Sequence, residues 1–161
     1  TTLGIGETIC ASGMLVSSLW LGARGLKGGY IRTLSASLFA AGLCMAGFAW
    51  QENIVSVCHF GFLFFLALPF ANNCLDCLVR RVIPGELQGR AWGMISFLSQ
   101  MGYVAAYTLA GTFADGLAAT LQISVGRGSA LVILIAGILL SVTALCLLPL
   151  RPVRQLEKST V

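Results

Sequence analysis

Five long apolar runs, at residues 3–23, 34–50, 54–79, 91–114 and 130–148, leave this chain little choice of fold. A helix crosses the roughly 30 Å hydrocarbon core of a bilayer with about 20 apolar residues, and each run approaches or exceeds that length. A soluble core would be cut into shorter pieces. The composition agrees, with 57% hydrophobic and only 10% charged residues. Soluble domains carry about 25% charged residues. The runs predict an all-α, polytopic transmembrane helical bundle of about five spans over residues 1–150, followed by a cytoplasmic tail at 151–161.

The charges predict how the bundle is threaded. Nine of the ten Lys and Arg residues follow runs one, three and five: Arg24, Lys27 and Arg32; Arg80, Arg81 and Arg90; Arg151, Arg154 and Lys158. Loops two and four hold only Glu52, Asp115 and Arg127. Cytoplasmic loops carry the excess of Lys and Arg, so the basic loops are expected inside, with the N-terminus outside and the C-terminus in the cytoplasm. Trp20, Trp50 and Trp92 fall near run ends, where an indole satisfies both lipid and water. Pro84 and Pro149 sit at ends as well. Pro69 alone lies inside a run, which predicts a kinked third helix. Residues 116–128 are mildly amphipathic and read as an interfacial segment. The net charge of +4 forms no aromatic-interleaved patch, so nucleic acid is not an expected partner.

Polar side chains are unevenly shared among the runs. Run one contains Glu7, run three His59, Asn72, Asn73 and Asp76, and run four Gln100, Tyr103 and Tyr107. Such groups are costly against hydrocarbon, about 2.5 to 3.5 kcal/mol for a central charge, and should face protein or water. Helices one, three and four are therefore expected to be inner, and helices two and five lipid-facing. At about 100° per residue, Ser96, Gln100, Tyr103 and Tyr107 share one face of helix four, and His59 and Asn73 share one of helix three. These form a candidate substrate pathway, although polar residues also serve as interhelical hydrogen-bonders. Glu7 is a candidate coupling acid and His59 a candidate proton relay.

Six cysteines lie in or beside the apolar runs and read as small hydrophobes, and Cys74 and Cys77 lack a second ligand pair. The glycines at 25, 28 and 29 do not make a phosphate loop, because no G-K-[ST] follows. No Ser-His-Asp or paired-carboxylate set is present in the pattern, so neither an enzyme nor a cofactor is expected.

Residues 72–116 read NNCLDCLVRRVIPGELQGRAWGMISFLSQMGYVAAYTLAGTFADG. This stretch resembles the connection between the tenth and eleventh helices of major facilitator superfamily transporters, where an acid, an arginine, P-x-E and [QR]-G-R-A-x-G recur. Asp76, Arg80, Pro84, Glu86, Gly89, Arg90, Ala91 and Gly93 match in order. The resemblance implies that the runs correspond to helices eight to twelve of a major-facilitator-type fold. It further implies a secondary-active transporter, efflux-like, working by alternating access on a small solute with a proton or other coupling ion. Its N-terminal half would be a partner, in a cell membrane of bacterial type. Asp76, Arg80, Pro84, Glu86, Gly89 and Arg90 would form the gate or cytoplasmic loop motif, with Asp76 latched to Arg80, Arg90 or Lys27. Residues 22–32, GARGLKGGYIR, keep the glycines and basic residues of a second family motif but lack its acid. The alternative is a stand-alone five-span scaffold or assembly subunit binding through small-residue faces such as Ala36/Ala40 and Ala106/Ala110.

Overall fold

The computed structural model describes residues 2–26, 29–51, 53–122 and 124–147. The expected cytoplasmic tail, Lys27, Glu52 and Pro149 lie outside them. Five helices follow in order: α1 (Thr2–Arg24), α2 (Tyr30–Trp50), α3 (Ile54–Val82), α4 (Gly85–Leu121) and α5 (Val125–Leu147). Among the described residues each apolar run sits within one helix, and the first four helices continue to or beyond the ends of their runs. Residues 116–121 do not form a separate loop but continue α4. The stretch Leu117 to Leu121 is built of Ala, Leu and Thr with no breaker, so α4 runs on until Gln122 adopts a left-handed φ of 52°. Gly29, at φ 68°, lets the chain turn into α2. Asn53 caps α3, its side-chain oxygen accepting from the Val55 amide at 3.1 Å. Between α3 and α4 the Gln88 amide donates to the carbonyls of Arg80 and Ile83 at 3.3 and 3.2 Å, satisfying acceptors left open at the helix end.

The helices pack in the order α1, α3, α2, α5, α4. Facing residues give their directions. Gly13 lies against the Phe62 carbonyl and the Trp20 ring is 5.6 Å from that of Phe70, so α1 and α3 are parallel. Gly47 meets Phe60 while Tyr30 lies under Arg81, so α2 is antiparallel to α3. Gly42 and Gly137 cross where α5 runs antiparallel to α2. Since α3 and α5 point the same way, α4 has to return the chain along the length of the bundle. Its 37 residues measure about 55 Å at 1.5 Å per residue. Arg24, Arg32, Arg80, Arg81 and Arg90 consequently gather at one end.

The interior is made mostly of small residues, with Leu21, Tyr30 and Ile31 as the large ones, and much of the exterior is large and apolar. Ala41, Ala67, Ala71, Cys74, Ala114, Ala118 and Ala144 are buried, and Cys74 and Ser35 are the largest side chains fully enclosed. Leu15, Leu19, Phe97 and Leu139 are each more than 60% exposed. Water does not tolerate so much exposed apolar surface, whereas lipid does, and in lipid close backbone packing through small residues replaces the hydrophobic drive. Helices α1, α2, α3 and α5 are long and apolar enough to cross a membrane. In α4 the apolar density is diluted by Ser96, Ser99, Gln100, Tyr103, Tyr107 and Thr108. The chain is thus an all-helical bundle with the character of an integral membrane protein.

The expected ranking of inner and outer helices is corrected by this packing. α2 lies in the middle of the row between α3 and α5, and α4 stands at an end with α5 as its one extended neighbour. Small residues decided the outcome rather than polarity: Ala41 and Gly42 on α2 and Gly137 and Ala144 on α5 permit the closest approach. The alanine faces at Ala36/Ala40 and Ala106/Ala110 take no part in the packing within the chain and are all exposed. Ser17, Ser37 and Ser141 return their hydroxyls to carbonyls four residues back, as lipid requires. Among the described residues the Ser35 hydroxyl, 2% exposed, has no partner. Ser35→Ala removes that uncompensated group and is expected to stabilise the bundle by about 1 kcal/mol. Denaturant titration in mixed micelles checks the sign.

Candidate functional site

At the end opposite the arginines, α1, α2, α3 and α5 leave a cavity of about 740 Å³. Its size falls within the roughly 300 to 1,000 Å³ of small-molecule sites. The opening follows from the sequence of α1, where Gly6 and Cys10 present little side chain to α3, and from Gly61, where an added Cβ would lie 2.5 Å from the Cys10 sulfur. Phe48, Phe60, Phe64 and Phe65 supply the wall, with Ile133 from α5. The Cys10 thiol donates to the Cys58 carbonyl at 3.6 Å, joining α1 to α3. Glu7 is the one ionisable carboxylate on this lining, and its side chain is exposed at the mouth. A carboxylate at the rim of an apolar chamber can hold a cation or exchange a proton while the chamber holds an apolar body.

His59 and Asn73 lie on α3 but about 21 Å apart, four helical turns. Both are exposed. His59 is next to Cys58 in sequence yet does not line the cavity, and its ring is 6.3 Å from Phe60, edge-on. The Asn73 side-chain oxygen accepts from the Cys77 thiol at 3.4 Å. On α4, Ser96, Gln100, Tyr103 and Tyr107 are exposed, the two tyrosines by 58% and 79%. α3 and α4 make no extended contact, so the two expected faces are not brought together. Ala114 and Ala118, seven and eleven residues beyond Tyr107, are nevertheless buried where Gly128 of α5 meets them. Steps of seven and eleven return to the same side of a helix. The polar face of α4 therefore points to the side on which α5 lies, and is uncovered only because the two helices part beyond Ala114.

At the arginine end the clasp differs from the expected latch. The Arg81 guanidinium lies 4.6 Å above the Tyr30 ring and donates to its hydroxyl at 3.3 Å, tying α3 to α2. Asp76 is half-buried and, among the described residues, has no ion pair with Arg80 or Arg90. A surface pair four residues apart gains only about 0.3 to 0.5 kcal/mol, too little to hold two side chains. Pro84 caps α4, Glu86 sits in its first turn where the helix dipole favours an acid, and Gly89 faces open space.

The cavity was not foreseen from sequence beyond Glu7, because its wall comes from four separated helices. The spacing of Val57, Phe60, Gly61 and Phe64 is a helical stripe that marks the α3 part of it. Comparison with protein-family models, with curated proteins and with solved structures finds no match to this chain.

Proposed function

We propose that the chain is the C-terminal portion of a secondary-active membrane transporter of the major-facilitator type, moving a small solute or drug outward by alternating access. The observation that carries this reading is the uncovered face of α4. Gln100, Tyr103 and Tyr107 share the side that meets α5 further along, and their polar groups are costly against hydrocarbon. Water in a pathway, or the polar surface of another half of the transporter, satisfies them. The motif resemblance from Asp76 to Gly93 supports the same reading, as does the gathering of arginines at one end. With α4 read as a further span beside the four apolar helices, the excess of Lys and Arg at one end supports an N-terminus outside and an arginine end in the cytoplasm, in a membrane of bacterial type. Glu7, at a cavity mouth on the outer side, is suited to couple a proton to the solute.

The scaffold reading draws on a separate observation, the exposed alanines at 36, 40, 106 and 110, which suit close docking of another membrane helix. Ligand-induced stabilisation separates the two. The intact protein in micelles is screened by thermal unfolding against solutes at several pH values. A ligand at a hundred times its Kd adds about 2.7 kcal/mol. The transporter reading expects a stabilising solute whose effect falls at least tenfold in affinity with Gln100→Leu and is retained with Leu98→Ala. No stabilising solute, or an effect indifferent to Gln100→Leu, favours the scaffold.

A further inference from the structure

A second cavity, of about 680 Å³, opens at the arginine end between α1, α2 and α3. Its lower wall is aromatic, with Trp20 of α1 and Phe70 of α3 at 5.6 Å between ring centroids. Leu26 adds apolar surface, and Thr33 contributes from the first turn of α2. Arg24 lies at the rim with its guanidinium 5.6 Å above the Trp20 ring. Among the described residues it has no hydrogen-bond or ion-pair partner, so its N–H donors remain for a ligand. The first turn of α2 also brings the positive end of a helix dipole to the same place. The end of the bundle at which the cavity opens is basic: among the described residues Arg32, Arg80, Arg81 and Arg90 lie near the same helix ends, with Asp76 and Glu86 as the acids.

An arginine with unused donors above an apolar slot, at the basic end of a membrane bundle, matches one ligand chemistry: a phosphate ester carrying hydrocarbon. We propose that this cavity is a binding site for an anionic phospholipid of the leaflet at the arginine end. Arg24 and the Thr33 hydroxyl hold the phosphate, and Trp20, Leu26 and Phe70 receive the upper part of an acyl chain. Basic pockets between spans bind anionic headgroups in this manner. The site is independent of the transport reading.

Native mass spectrometry of the intact protein in neutral detergent, titrated with phosphatidylglycerol, phosphatidylcholine or inorganic phosphate, tests it. Phosphatidylglycerol is expected to bind at least tenfold more tightly than phosphatidylcholine. Arg24→Gln should weaken it about tenfold through loss of a charge-assisted hydrogen bond to the phosphate, while Arg32→Gln, the same charge loss outside the cavity, should change it less than threefold. Thr33→Val keeps charge and shape and should weaken it about threefold, which preserves the test if Arg24→Gln lowers the yield of folded protein. Equal losses in Arg24→Gln and Arg32→Gln would reduce the effect to diffuse surface attraction and overturn the site. Displacement of the lipid by millimolar inorganic phosphate, or equal binding of phosphatidylcholine, would overturn it as well.

Discussion

Replacing Gly42 by isoleucine is expected to destabilise the bundle by about 3 kcal/mol or more, enough to shift the folded-to-unfolded ratio more than a hundredfold. A Cβ at Gly42 would lie 2.6 Å from the Gly137 carbonyl oxygen and 2.9 Å from the Ser141 amide. Both are backbone atoms, which cannot swing aside as a side-chain tip can. The helices must separate, and with them goes the contact that holds α5, and through it α4, to the rest of the row. Gly137→Ile should act alike, since its Cβ would meet the Gly42 carbonyl at 2.8 Å. Gly22 and Gly102 make the comparison clean, because a Cβ at either meets nothing within 4 Å. Alanine at those two helical positions should be neutral or stabilise by up to about 1 kcal/mol. Denaturant titration of each variant in mixed micelles reads the difference. A Gly42→Ile protein as stable as Gly22→Ala would mean that α2 and α5 do not cross there.

The spans were legible because hydropathy acts along the chain, and a run such as 54–79 has no soluble alternative. Helix ends were less so. Nothing in Leu117–Ala118–Ala119–Thr120–Leu121 stops a helix, yet a fall in hydropathy after Ala114 resembles a loop. Ranking helices by their polar groups does not tell which are central, because Gly42, Gly137 and Ala144 set how near two backbones come. Asp76 and Arg80 have the right spacing for a pair, but spacing permits a contact without supplying the energy to hold it. The cavity beside Glu7 joins Gly6, Phe48, Phe60 and Ile133, residues that only tertiary packing brings together. Arg24 was visible as charge, whereas its seat above Trp20 depends on α1 ending at Gly25, φ 64°.

The second large effect concerns α4, whose surroundings decide between a pathway and a lipid-facing prop. Its polar side chains are uncovered, and so are Leu98, Met101 and Leu109 around the rest of the helix. Exposure alone does not separate water from lipid, but chemistry does. A small water-soluble maleimide reacts with a thiolate in water and hardly at all in hydrocarbon, so the contrast between faces is expected to exceed tenfold in rate. Helical geometry fixes which positions belong to which face: 96, 100, 103 and 107 together, 98 and 109 opposite.

Single cysteines are therefore placed at Ser96, Gln100, Tyr103, Tyr107, Ile95, Leu98 and Leu109 of the intact membrane protein, with the native cysteines replaced, and labelled in cells. The first four are expected to react with a period of 3.6 residues and to be protected by a stabilising solute, while the last three stay inert. Reactivity without helical period, or confined to the side of Leu98 and Leu109, would contradict a water-lined pathway along α4.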